Sequence, residues 1–102
     1  MAVTESFKKA AAIYTGTIGD ELATEMKAHG YVFLSHEWIG DGPKRPIEGW
    51  RTLVDKLGGE DAINADFQEE DPAFTVQHIK SGKSVSDNGS VTALAQLWLA
   101  IQ

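Results

Sequence analysis

Apolar and polar positions run along this chain in two periods, and the switches between them mark its elements. Over Glu5–Tyr14, Phe7, Ala10, Ala11 and Tyr14 share one helical face, with Thr4 placed to cap the first turn. A second helix is expected over 18–29, where Ile18, Leu22 and Met26 repeat every four residues and Gly30 stands at the stop. The alternative is a single helix kinked near Gly16–Gly19. The period then changes to two. Tyr31–Ile39 is rich in aromatic and β-branched residues, with Val32, Leu34, His36 and Trp38 on its more apolar face. After a Gly/Pro-bearing loop over 40–45, Pro46 opens a helix whose apolar face is Ile47, Trp50, Leu53, Val54 and Leu57, and Gly58-Gly59 ends it.

The second half carries weaker but regular signals. Ile63, Ala65 and Phe67 alternate as in a short edge strand, which Asp71-Pro72 breaks. Ala73–Ile79 reads as a strand with Phe74, Val76 and His78 on one face. Ser81-Gly82 suits a tight turn, and Lys83–Val85 returns as a short partner. Ser90 is placed as the N-cap of a last helix, Val91–Ile101. Its main face is Val91, Leu94, Leu97, Trp98 and Ile101, but Ala93, Ala95, Leu99 and Ala100 make the other side apolar too. Such a helix is deeply buried or meets a partner, so a homodimer through it is expected if it is not wholly internal.

These elements predict an α+β fold: one small two-layer domain over 1–102, with a short three- or four-stranded sheet packed against two or more helices. The expected core is Val32, Leu34, Trp38, Trp50, Leu53, Leu57, Phe74, Val76, Leu94, Trp98 and Ile101.

Charge narrows the function classes. The chain has 15 acidic and 9 basic residues and no cysteine. Glu60, Asp61, Asp66, Glu69, Glu70 and Asp71 fall within 60–71 with no Lys or Arg between them, so the whole net charge of −6 sits in that segment. A dense run of carboxylates disfavours direct nucleic-acid binding, which needs clustered bases. It suits a protein partner with a basic surface, whose approach it would steer. A solvated loop is the plainer reading. The absence of cysteine excludes disulfides and thiolate metal sites and fits a reducing compartment. The start of the chain has no basic and apolar leader pattern, and no apolar run is long enough to span a bilayer, so a cytoplasmic protein without membrane association is expected.

No motif for catalysis survives a physical check. Ser81-Gly82-Lys83-Ser84 ends like a phosphate-binding loop, but the required earlier glycine is Gln77, inside a predicted strand. No nucleophile elbow surrounds any serine, and the acidic segment lacks the alternating oxygens and loop glycine of an EF-hand. His36, with Glu37 beside it, and His78 form the one set from which a zinc or acid–base site could be drawn. Glu37, however, points to the opposite strand face from His36, and packed histidines are the simpler reading. Trp38, Trp50 and Trp98 read as core. No cofactor is expected.

The helix Gly49-Trp50-Arg51-Thr52-Leu53-Val54-Asp55-Lys56-Leu57-Gly58, the strand at Phe74–Ile79 and the closing Val91-Thr92-Ala93-Leu94-Ala95 helix resemble the layout of small phage α/β sandwich proteins. The resemblance spans 46–102. It implies a phage or mobile-element origin and carries over no site residue. Three functions are in play: a non-enzymatic binding protein, such as a phage inhibitor of a host nucleic-acid-handling machine, acting through its acidic segment; a small enzyme or metal protein using His36 and His78; and an oligomer-forming structural subunit.

Overall fold

Four α-helices and three strands are built from the described residues of the computed structural model, which are 3–14, 16, 20–28 and 46–102. In order they are α1 (Glu5–Ala11), α2 (Asp20–Ala28), α3 (Pro46–Lys56), a 3₁₀ turn (Glu60–Ala62), β1 (Ile63–Phe67), β2 (Phe74–His78), β3 (Ser84–Asp87) and α4 (Ser90–Ala100). The fold is α+β. The strand expected at 31–39, with Val32, Leu34, His36 and Trp38, lies outside the described residues.

The sheet is antiparallel in the order β1-β2-β3, and its register sorts the side chains into two faces. Ile63 pairs with His78, Ala65 with Val76 and Phe67 with Phe74, and on the other side Val76 pairs with Val85. Ile63, Ala65, Phe74 and Val76 are buried under the helices, whereas Asn64, Asp66, Thr75, Ser84 and Ser86 are exposed on the opposite face. Strict alternation is what a sheet covered on one side requires. The outer face is tied by polar pairs, Asn64 Nδ2 to Gln77 Oε1 at 3.1 Å and Thr75 Oγ1 with Ser86 Oγ at 3.2 Å. The N-terminal segment adds to the β1 edge, where the Thr4 N–H donates to the Ala65 carbonyl at 3.0 Å.

α1 and α3 have legible ends. The Thr4 hydroxyl accepts from the Phe7 N–H at 3.1 Å, the expected N-cap. α3 ends in a Schellman motif: the Gly59 N–H reaches the Val54 carbonyl at 2.9 Å and the Gly58 N–H reaches that of Asp55 at 3.1 Å. Gly58 holds φ 114° there, and a Cβ on it would lie 2.8 Å from the Ala62 methyl.

One expectation about α4 needs correction. Gly89, not Ser90, is its N-cap. Ser90 is the first helical residue, fully buried, and its hydroxyl donates to the Ala11 carbonyl at 2.8 Å. Its N–H donates to the Tyr14 carbonyl at 2.9 Å. Both donors of Ser90 are therefore met by carbonyls at and beyond the end of α1, and opposite helix-end polarities face each other. Asp87 supports the same end: its Oδ1 accepts from the N–H groups of Asn88 and Gly89 at 2.7 and 3.3 Å, and its Oδ2 from Gln96 Nε2 at 3.3 Å. Ser90→Ala should cost about 1–3 kcal/mol, because it strands a buried carbonyl; chemical denaturation measures this.

The apolar circumference of α4 is covered largely by its own chain. Val91, Ala93, Leu94, Ala95, Leu97 and Trp98 are all buried within the one chain, against β2, β3 and α3. Leu99 and Ile101 are partly buried against the same core. The chain's own packing covers most of the second apolar side, while Ala100 is exposed and Gln96 is half-buried. Light scattering at high concentration should return the mass of one chain.

The core is tied together by aromatic edges. Phe7, fully buried, meets Trp50 at 5.6 Å and Phe74 at 5.5 Å between ring centroids, each at 81°. Phe74 touches Phe67 at 5.1 Å, and Phe67 stacks on Tyr14 at 6.0 Å with only 7° between planes. A continuous row of rings thus runs from α3 through α1 and the sheet to the surface. Of the expected core residues that are described, all but Ile101 are buried.

Candidate acidic–aromatic surface

α1 is shorter than the spacing predicts, and this changes what Tyr14 does. The helix stops at Ala11, where Ile13 and Tyr14 both donate back to the Ala10 carbonyl at 3.0 and 2.9 Å. The chain then leaves the helix axis because the Ala11 and Tyr14 carbonyls are held by Ser90. The helical spacing puts Tyr14 on one face with Phe7 and Ala10; it is instead 54% exposed, and Ile13 is 69% exposed. Its backbone is anchored while its ring lies outward, one face against Phe67. An exposed ring held in this way loses little freedom on meeting a ligand.

The acidic segment is spread along β1. Glu60 and Asp61 open the 3₁₀ turn before the strand, and Glu69, Glu70 and Asp71 lie in the loop after it. A strand of this length separates the two groups by roughly 13–17 Å. Asp66 is between them on the outer face, where Oδ1 accepts from Thr4 Oγ1 at 2.8 Å and from the Phe67 N–H at 2.9 Å. The fold also brings a base that the local sequence lacks: Lys8 Nζ lies 3.4 Å from Glu60 Oε1. An exposed pair of this kind contributes about 0–1 kcal/mol.

Glu69, Glu70 and Asp71 are the carboxylates that stay together. Their loop is closed at its base by the Gln68 N–H to the Ala73 carbonyl at 2.8 Å, by Gln68 Nε2 to the Pro72 carbonyl at 3.2 Å and by the Ala73 N–H to Asn88 Oδ1 at 2.9 Å. The three acids line an open concavity of about 630 Å³ whose other walls include Tyr14, Phe67 and Asn88, with no Lys or Arg among the described residues that line it. A neighbouring concavity of about 450 Å³ shares Tyr14, Phe67 and Glu69 and adds Ile13 and Lys9. A third, about 370 Å³, runs over the polar outer face of the sheet at Asn64, Asp66, Thr75 and Gln77.

The histidine reading fares differently. His78 is half-buried on the helix-facing side of β2, as expected, but its Nδ1 is engaged in the β2–β3 turn. It lies 2.8 Å from Ser81 Oγ and accepts from the Ser81 N–H at 3.3 Å. His36 lies outside the described residues. Among the described residues no group of three His, Asp or Glu side chains is arranged to hold a metal ion. The Ser81-Gly82-Lys83 segment is the hairpin turn, with the Gly82 N–H on the His78 carbonyl at 2.8 Å, and Gln77 is inside β2. No described helix is long and apolar enough to cross a membrane.

Tyr14 and Ile13 are the surface residues that the sequence reading missed. The available signal was Gly16 two residues on, which argues that the helix ends early and releases Tyr14 from its buried face. No family model, no curated protein and no solved structure matches the chain.

Proposed function

We propose that this protein is a non-enzymatic binding protein that acts through protein–protein contact with a basic surface, in a reducing compartment such as the cytoplasm. The observation that carries the reading is the concavity lined by Glu69, Glu70 and Asp71 together with the exposed Tyr14, with no base among the described residues that line it. Clustered carboxylates raise the local concentration of a basic partner and speed its encounter, and an adjacent apolar ring supplies area that charge alone does not. The narrower reading, a phage or mobile-element inhibitor of a host machine that handles nucleic acid, is supported by the layout of 46–102 and by the resemblance of such a carboxylate array to phosphate charge.

Affinity capture tests this with two baits, the wild-type chain and a variant carrying Asp66→Asn, Glu69→Gln, Glu70→Gln and Asp71→Asn. The expected result is a basic protein retained by the wild type at low salt, released as salt rises, and absent from the variant. Identical captures by both baits would remove the acidic surface from the function.

A further inference from the structure

We propose that Asn88-Gly89 is a latent self-modification site: the folded chain holds the pair unreactive, and when the start of α4 opens the pair closes to a succinimide, leaving aspartate or isoaspartate at position 88. The chemistry stands whether or not the chain has a basic partner. The Gly89 nitrogen attacks Asn88 Cγ, its proton passes to water, and the Cγ–Nδ2 bond breaks with release of ammonia. The five-membered ring contains only Asn88 atoms and that nitrogen. Water then opens it on either side. Breaking the bond to Cγ gives aspartate. Breaking the bond to the main-chain carbonyl carbon gives isoaspartate, in which the chain runs on through Cβ and Cγ. A glycine after the asparagine leaves the attacking nitrogen without a neighbouring Cβ to shield it.

The folded chain opposes each requirement of ring closure. The side-chain amide is tied to the segment before β2, where Asn88 Oδ1 accepts from the Ala73 N–H at 2.9 Å. The Gly89 N–H donates to Asp87 Oδ1 at 3.3 Å, and the Asn88 N–H donates to the same oxygen at 2.7 Å. Removing the Gly89 proton would set a negative nitrogen against that carboxylate, which disfavours the nucleophile. Rotation of the backbone is blocked as well. Gly89 is buried at the N-cap of α4, its carbonyl accepts from the Ala93 N–H at 2.9 Å, and a Cβ on Gly16 would lie 2.7 Å from its Cα. The Asn88 side chain itself is exposed, so water reaches it once these contacts open. Helix ends open at lower free energy than the core, so conversion should follow opening of this end rather than global unfolding.

Only Asn88 and Gly89 separate β3 from α4. Isoaspartate lengthens the main chain in that link. Ser90 then cannot keep both its bonds, to Ala11 and Tyr14, while Asp87 stays paired in the sheet. That product records an opening which the chain cannot reverse. Either product adds a carboxylate to the wall that Asn88 shares with Glu69, Glu70 and Asp71.

The test incubates the full chain at neutral pH and physiological temperature, folded and unfolded in guanidinium, and follows the peptide bearing Asn88 by proteolysis and mass spectrometry. The unfolded chain should convert with isoaspartate among its products, since direct hydrolysis of the amide gives aspartate alone. The folded chain should convert more slowly by about tenfold or more. Ser90→Ala, which loosens the start of α4, should convert severalfold faster than the wild type. Sub-denaturing guanidinium should speed the unsubstituted chain in the same way, and this series decides the matter if Ser90→Ala does not fold. The isolated isoaspartate form should melt below the aspartate form. Equal rates for folded and unfolded chain, absence of isoaspartate, or a rate that rises only with global unfolding would overturn the proposal.

Discussion

Phe7→Ala is expected to destabilise the protein by about 3–5 kcal/mol, the usual cost of truncating a buried phenylalanine. Phe7 is fully buried and packs edge-on against Trp50 from α3 and Phe74 from β2. Its ring is where the N-terminal helix, the third helix and the sheet meet. Removing it leaves a cavity bounded by elements that cannot collapse independently, because α1 is pinned at one end by Thr4 to Ala65 and at the other by Ala11 to Ser90. Domains of this size have only about 5–15 kcal/mol of stability in total, so one substitution removes a large share. The thermal midpoint should fall by roughly 12 °C or more, at about 4 °C or more per kcal/mol. Phe7→Leu, which keeps most of the volume, should cost less than half as much. A loss within about 1 kcal/mol for Phe7→Ala would show that α1 is not part of the cooperative core.

Gly16→Ala should cost far more than Gly82→Ala, although the two glycines have nearly the same backbone. Gly16 has φ 80° and Gly82 φ 78°. An alanine pays about 1–2 kcal/mol for that left-handed conformation at either site. The surroundings differ. A Cβ on Gly82 meets nothing within 4 Å, whereas one on Gly16 would lie 2.6 Å from Thr92 Oγ1 and 2.7 Å from the Gly89 Cα. The second of these is backbone at the N-cap of α4 and cannot rotate away. Relieving the clash must push Gly16 off the start of α4 and strain the nearby Ser90 hydrogen bonds to Ala11 and Tyr14, adding about 1–3 kcal/mol, the range for overpacking. Parallel denaturant titrations of the two variants isolate the close approach from the backbone term. Equal losses would mean that the segment does not sit against α4.

Much of the fold could be read from local pattern. The 46–57 helix was legible because Trp50, Leu53, Val54 and Leu57 repeat on one face and Gly58-Gly59 supply the left-handed exit. The strands were legible because Ile63, Ala65, Phe74 and Val76 alternate with polar residues. The all-apolar closing helix announced its burial, though not that its own chain would cover it. What local pattern missed depended on contacts distant in sequence. Ser90 has the chemistry of an N-cap, yet its hydroxyl is spent on Ala11, 79 residues away. That same contact ends α1 early and turns Tyr14 outward. Lys8 reaches Glu60 only once α1 lies beside β1. The acidic segment was visible as a count of charges; its division around β1, with three carboxylates left together beside an aromatic ring, follows from strand geometry.

The central claim is that the Glu69–Asp71 loop serves contact and contributes little to folding. The direct measurement is the association rate with a captured basic partner, across a salt series, for the wild type and the Glu69→Gln/Glu70→Gln/Asp71→Asn variant, with the thermal midpoint of each recorded alongside. Stability should change by no more than about 0.5 kcal/mol, as for most surface substitutions. The variant should associate about tenfold more slowly or worse at low salt, and the difference should shrink as salt screens the wild-type charges. Equal association rates at every salt concentration, with equal midpoints, would show that the loop is solvated surface and contradict the account.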